Sequence, residues 1–467
     1  MKPPMAFLMA AVLVGIFPAG AVPLRLSELA NPSLAGKTAS IPDFLANKRN
    51  RKRASSAPVV ELLVKFQSLE RVRVLEVDAA DEVAAMVLLR QRRDIKFVEK
   101  NRRLKRQFLP SDPLLGDQWQ HDKIQSRKAW DLGTGSHVVT VAIVDIAFNL
   151  DHPDLAANAM NGWDVVNDIQ ITSGDDWHSS MSAGMASGVL DNGVGIAGAG
   201  NCLLMPVNNA YADESTSYAM IDSAVRWATD NGARVVNVSW EGADSETVNV
   251  AGHYLREKND GILVMAGVNG SGFLDYTNQP YVVAVSMTGS ADTLRSKQGD
   301  HIDFSAPGWL VKSTTTSGYG VDSGTSFSAP LVSGILASLF SIDPTLTAEQ
   351  ALSVLQQTAV DLGDPGWDQK FGWGRVDFYH AAWLTAAHSE NPPVLRSSVE
   401  WVEGDLTVSV EFHPGLVYSL WGKGELESTH WIAVDAVVQT NGQMLEYRVN
   451  MESATQAFYQ VTGKFDL

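Results

Sequence analysis

Ser326 stands in the stretch VDSGTSFSAPLVSG (321–334), just ahead of an apolar run at helical spacing and two residues after Gly324. A serine there can be a plain helix N-cap. The same place suits a nucleophile, because backbone N–H groups and the positive end of a helix dipole can steady a developing oxyanion. Such a hydroxyl attacks only when a base of near-neutral pKa takes its proton. His178, in DDWHSSMSAGMASG (175–188), could be that base or a surface residue at a helix start. Asp145 and Asn269 close the apolar runs VVTVAIVD and GILVMAGVN. Alone, the first reads as a strand-end turn residue and the second as a loop residue before Gly270.

The elements that must hold these residues follow from hydrophobic patterning. VVTVAIVD, CLLMPVNN, ARVVNVSW, GILVMAGVN and YVVAVSM are apolar without alternation. SYAMIDSAVRWATDNG and TVNVAGHYLREKND between them have helical spacing. That pattern predicts an α/β fold whose parallel sheet is covered by helices on both faces. Functional groups in such sheets gather at the carboxyl ends of strands, where Asp145 and Asn269 fall. SFSAPLVSGILASLF and AEQALSVLQQTA are further helices, the second capped by Thr347.

The flanks differ in texture. VVELLVKF, VRVLEV and IKFVEK read as strands around the helical ADEVAAMVLLRQR, giving a small α+β unit. Beyond about residue 390, alternating segments and an Asn-Gly turn predict a small all-β module. With 467 residues, more than one core is expected. Residues 1–21 read as a signal peptide: Lys2, an apolar run from Ala6 to Phe17, and Ala19-Gly20-Ala21 as the cleavage site. No later segment reads as transmembrane. Cys202 is the sole cysteine, which excludes an internal disulfide or a cysteine metal cluster. Residues 22–106 carry 19 Lys and Arg against 10 Asp and Glu, a net of +9, whereas residues 107–467 carry 16 against 43, a net of −27. The acidic body is a simpler partner for the basic segment than a nucleic acid.

GTSFSAP resembles the nucleophile motif of the subtilisin-like serine proteases. The resemblance extends to VAIVDIAFNLDHPDL, to HSSMSAGMASGVLDNGVGIAGAG, to GILVMAGVNGSG, and to DFSAPG and FGWGRVD, in that family's order, over about residues 109–387. The order Asp145, His178, Ser326 is the subtilisin order. The resemblance implies a secreted serine endopeptidase acting on protein or peptide substrates through an acyl-enzyme. Asp145 would orient His178, His178 would be the base and Ser326 the nucleophile. Asn269 and the Ser326 backbone N–H would form the oxyanion hole. Ser239, Trp240 and Gly242 of NVSWEGAD would line the substrate strand. It also implies a domain order: residues 22–108 as basic lead-in and inhibitory prodomain, 109–389 as catalytic domain, and 390–467 as a β-rich module. Self-cleavage would fall between about Arg106 and Ser111. A structural Ca2+, not needed for catalysis, would be held thermitase-fashion by Asp112, Asp154, Leu190, Asn192, Val194 and Ile196. His152, in DHPD, reads as a structural turn residue.

The sequence departs from the family pattern at several points. Ile146-Ala147 replaces a Ser or Thr followed by Gly, removing a hydroxyl that could bond Asp145. Ser179-Ser180-Met181 replaces Gly-Thr-His, so Ser179 is expected to crowd the site. Val268 stands for Gly and should narrow the primary pocket, and Glu241 is expected to face solvent. Two other functions compete: an impaired homologue acting as a binding protein, and an exported carbohydrate- or matrix-binding protein working through residues 391–467.

Overall fold

The computed structural model describes residues 108–171, 174 and 176–388, and before them 8–10, 59–67, 72–78, 85–86, 89–90 and 92–101. Toward the C-terminus it describes 397–402, 405–414, 416–423, 432–433, 437–440, 444–450 and 458–465. The proposed signal segment (apart from 8–10), the basic lead-in and residues 106–107 of the self-cleavage window lie outside the described residues.

The central sheet is built from β1 (Thr140–Asp145), β2 (Gly162–Asp164), β3 (Ile169–Ile171), β4 (Leu203–Asn208), β5 (Val235–Val238), β6 (Ile262–Ala266), β7 (Val282–Thr288) and β8 (Ile302–Pro307). Its spatial order is 8-7-6-5-1-4-2-3. All neighbours run parallel except the β2–β3 hairpin. The strands are buried on both faces, which is why they are apolar throughout rather than at alternate positions. Val141 and Ile143 enter one core with α1 (Trp177–Ser187), α4 (Thr325–Ile342), α5 (Ala348–Thr358) and α6 (Phe378–His388). Ala142 and Val144 enter the opposite core with α2 (Tyr218–Asp230) and α3 (Glu246–Asn259). One strand thus feeds both layers by period-two alternation. The chain is therefore an α/β protein with a helix-covered parallel sheet, as the patterning predicts.

Thr347 caps α5 in a capping box with Gln350. Patterning missed the short β2–β3 hairpin, the Val311–Thr314/Tyr319–Asp322 hairpin and α6. These are short pieces, or a helix whose apolar residues run all round it, so no period marks them.

The N-terminal strands Val59–Phe66, Arg73–Asp78 and Ile95–Lys100 form an antiparallel sheet with the first in the middle. Leu62, Val64, Phe66, Ile95 and Val98 pack on one face with Ala85. On the other face Val74 and Phe97 stay exposed. At the C-terminus, Ser397–Val402, Asp405–Glu411, Met444–Asn450 and Val437–Thr440 form one antiparallel sheet. Leu416–Lys423 pairs with Phe458–Phe465 and Ile432–Ala433 in another, to which Leu8–Ala10 adds a short edge strand. Val408, Val410 and Tyr447 join the main core, and His413 stacks on Trp383 of α6 with ring centroids 3.6 Å apart.

Candidate active site

Asp145 is the last residue of β1 and is fully buried. Its Oδ1 accepts from His178 Nδ1 at 3.0 Å and from the Ile146 N–H at 3.0 Å. Its Oδ2 has no hydrogen-bond partner among the described residues.

His178 is the second residue of α1. The helix starts there because Asp176 caps it, accepting the Ser179 N–H at 2.9 Å. Burial of the His178 ring disfavours its charged form. The charge and hydrogen bond of Asp145 outweigh that, Asp176 and Asp322 add to them, and the imidazole is held above its ordinary range. Ser179 does not crowd the site as expected, and Ser180 beside it is turned the same way. Both are fully buried; Ser179 Oγ donates to Asp176 Oδ1 at 2.9 Å and Ser180 Oγ to the Asp176 carbonyl at 2.7 Å. Their hydroxyls tie the start of the helix to its cap instead of facing substrate.

Ser326 is the second residue of α4, among the N–H groups that a helix cannot satisfy internally. Its Oγ donates to the Ser239 carbonyl at 3.4 Å, not to His178. Its own carbonyl shows why two further serines matter. Pro330, inside α4, lacks the N–H that would bond the carbonyl four residues back. Ser239 Oγ, at 3.1 Å, and Ser182 Oγ, at 3.3 Å, donate to it instead. The residue just past β5, α1 and α4 are thus joined at the backbone of Ser326.

Asn269 follows β6 and is exposed. Its Oδ1 accepts from the Thr325 N–H at 2.9 Å and from Thr325 Oγ1 at 3.2 Å. A backbone N–H can only donate, so this contact fixes which end of the carboxamide is oxygen and turns the Nδ2 donor the other way. Trp177, His178, Asn269, Ser323, Gly324, Ser326 and Phe327 line one cleft. Sequence reasoning found His178, Asn269 and Ser326 there and passed over Trp177 and Phe327. The only available signal was position: one precedes the histidine and the other follows the serine.

Along the expected substrate strand, Ser239 is buried. Trp240 is half-buried against the core that holds α2 and α3, with its Nε1–H donating to Asn209 Oδ1 at 3.0 Å. Gly242 has φ 123° and lies so close to Tyr218 that a Cβ would meet Cε1 at 2.6 Å, so only glycine fits. Glu241 is exposed and Val268 buried. His152 accepts the Asp154 N–H on Nδ1 and meets the Gly318 carbonyl through Nε2, a turn role as expected.

The six residues expected at a cation come together. Asp112 and Asp154 are buried, and neither makes an ion pair among the described residues. Burial pushes the Asp112 carboxyl up; the Asp191 and Asn192 N–H groups oppose this, and the Asp154 charge adds to the rise. Asp112 accepts the Asp191 and Asn192 N–H groups. Asp154 accepts Asn192 Nδ2 at 2.7 Å and the Ile196 N–H at 2.7 Å. Asn192 Oδ1 accepts the Val194 N–H, and the Leu190 carbonyl accepts Asn201 Nδ2. The loop therefore meets the carboxylates with N–H donors, and Asn192 would have to turn its oxygen inward to ligate.

With this geometry in place, comparison with known proteins gives one answer. Residues 136–374 match the family model of the subtilases. The chain is 33% identical to halolysin of Haloferax mediterranei, over 62% of this chain and 58% of that protein, so it spans little more than half of that relative. It is 30% identical to thermitase of Thermoactinomyces vulgaris, over 59% of this chain and 99% of thermitase. Among solved structures, a protease of Pseudoalteromonas arctica superposes with a TM-score of 0.51 at 28% identity, over 60% of this chain and 99% of that one. The chain belongs to the subtilase family, the subtilisin-like serine endopeptidases.

Proposed function

We propose that the chain is a secreted, self-processing endopeptidase that works through Asp145, His178 and Ser326. One observation carries the reading: His178 is bonded to a buried carboxylate while it shares a cleft with Ser326 and Asn269. Asp145 holds the proton on Nδ1, which leaves Nε2 as the basic nitrogen. Rotation about the Ser326 Cα–Cβ bond carries Oγ from the Ser239 carbonyl toward that nitrogen. Oγ then attacks the scissile carbonyl as its proton passes to Nε2. The oxyanion takes hydrogen bonds from Asn269 Nδ2 and the Ser326 N–H. The C–N bond breaks, the leaving amine receives the proton from Nε2, and water, activated by the same histidine, hydrolyses the acyl-enzyme.

Export rests on the N-terminal sequence; removal of residues 1–21 would also remove the Leu8–Ala10 edge strand. The inhibitory role of the N-terminal α+β unit is supported by its exposed Val74 and Phe97 and by the opposite charges of the two segments. A structural Ca2+ is supported by two buried carboxylates that repel each other and make no ion pair among the described residues. Asp112 and Asp154, with Asn192 Oδ1 and the carbonyls of Leu190, Val194 and Ile196, would supply an oxygen-only set of the kind calcium prefers.

The bare Asp145 Oδ2 favours a second reading, an impaired homologue that binds peptides without cutting them. An organophosphonate serine reagent separates the two. The proposal expects stoichiometric labelling of Ser326 in the processed protein; an unlabelled Ser326 in folded protein supports the binding protein.

A further inference from the structure

The cleft beside Ser326 has an aromatic wall that the proposed chemistry leaves unused. Trp177 opens α1 and is 46% exposed. Its ring stands edge-on to His178, with centroids 5.7 Å apart and planes at 86°. Phe327, almost wholly buried, lies 5.6 Å from His178 and 6.4 Å from Trp177. Phe327 therefore backs the histidine from the core, while Trp177 holds nearly half of its surface out over the cleft. The exposed part of the indole is an apolar surface, next to His178, for a substrate side chain to cover.

One observation and the proposed mechanism together point to the half of a peptide that meets this wall. Ser239, Trp240, Gly242 and Val268, expected on the acyl side, are absent from the lining of this cleft. His178 lines it, and in the proposed mechanism it gives its proton to the departing amine. We infer that Trp177, backed by Phe327, forms a leaving-group subsite that selects an apolar, best an aromatic, residue directly after the scissile bond. This inference rests on the protease reading above.

The test uses the full processed chain and quenched peptides that share one acyl half, taken from a site the enzyme cuts in a denatured protein. They differ only in the residue after the cut. Covering roughly 50 Å² of indole surface should raise kcat/KM on the order of tenfold for Phe over Gly. Trp177→Ala should bring that ratio close to one, and Trp177→Phe should keep most of it. Equal rates for Phe and Gly in the native enzyme, or an unchanged ratio in Trp177→Ala, would overturn the subsite and leave the protease reading standing. Absence of any cleavage would instead overturn the protease reading, and the subsite with it.

Discussion

Replacing Ser182 and Ser239 with alanine removes both hydroxyls that serve the Ser326 carbonyl. Pro330 can offer nothing in their place, so a buried backbone oxygen is stranded. An unmet buried acceptor costs about 1–3 kcal/mol. Ser239 also accepts Asn237 Nδ2 at 2.9 Å, so its loss strands a second group. A total of about 2–4 kcal/mol is expected, which for a unit of this size lowers Tm by about 4–12 °C. Pro330→Ala restores an N–H aimed at the same oxygen, so in that background the double replacement should cost about 1–2 kcal/mol less. The measurement is thermal unfolding followed by far-UV circular dichroism, with every variant built on Ser326→Ala to prevent autolysis. That replacement leaves the carbonyl in question untouched. The reasoning fails if Pro330→Ala leaves the cost of the double replacement unchanged.

Ser179→Gly should lower Tm by several degrees without raising kcat/KM, because it removes a hydrogen bond to the helix cap and puts glycine in the first turn, about 1–2 kcal/mol together; calorimetry and steady-state kinetics check both halves. The acid limb of kcat/KM should have its midpoint above the ordinary histidine value near 6.5, since the base must be neutral and Asp145 favours its charged form. The same raised value means that the ring's contribution to stability is complete below about pH 6.5 and fades as pH rises through the folded-state value. A pH profile of Asp145→Asn should show the limb moved down and kcat reduced about 10⁴-fold. EGTA should lower Tm by several degrees, as loss of an ion held at 100 times its Kd removes about 2.7 kcal/mol; an unchanged Tm, with no metal by elemental analysis, would remove the calcium site.

Patterning placed Asp145, His178, Ser326 and Asn269 where an apolar run ends or a helical one begins, because burial of the sheet dictates those runs, but their roles were legible only through the family resemblance of the motifs that hold them. What surrounds them was less legible. Ser179 looks like an obstruction in sequence, but its direction is set by Asp176, three residues back, in a local cap that spacing does not reveal. Ser182 and Ser239 serve a carbonyl 144 and 87 residues away, and the need for them arises from a proline at a third place. The loop after α1 hydrogen-bonds to Asp112 and Asp154. Its left-handed residues Asp191, Gly193 and Gly195 decide which backbone groups point inward, and residue types alone do not. Trp240 was assigned to the substrate strand by its neighbours, yet its indole is drawn toward Asn209, a partner 31 residues away.

The central claim, that Asp145-bound His178 and Ser326 act as one device, is tested most directly by kcat/KM for His178→Ala, Ser326→Ala and the double variant on one peptide. Groups that act as a unit are not additive. The account predicts that each single replacement falls to the same residual rate and that the double falls no further. A His178→Ala enzyme with near-native turnover, or losses that multiply in the double variant, would contradict it.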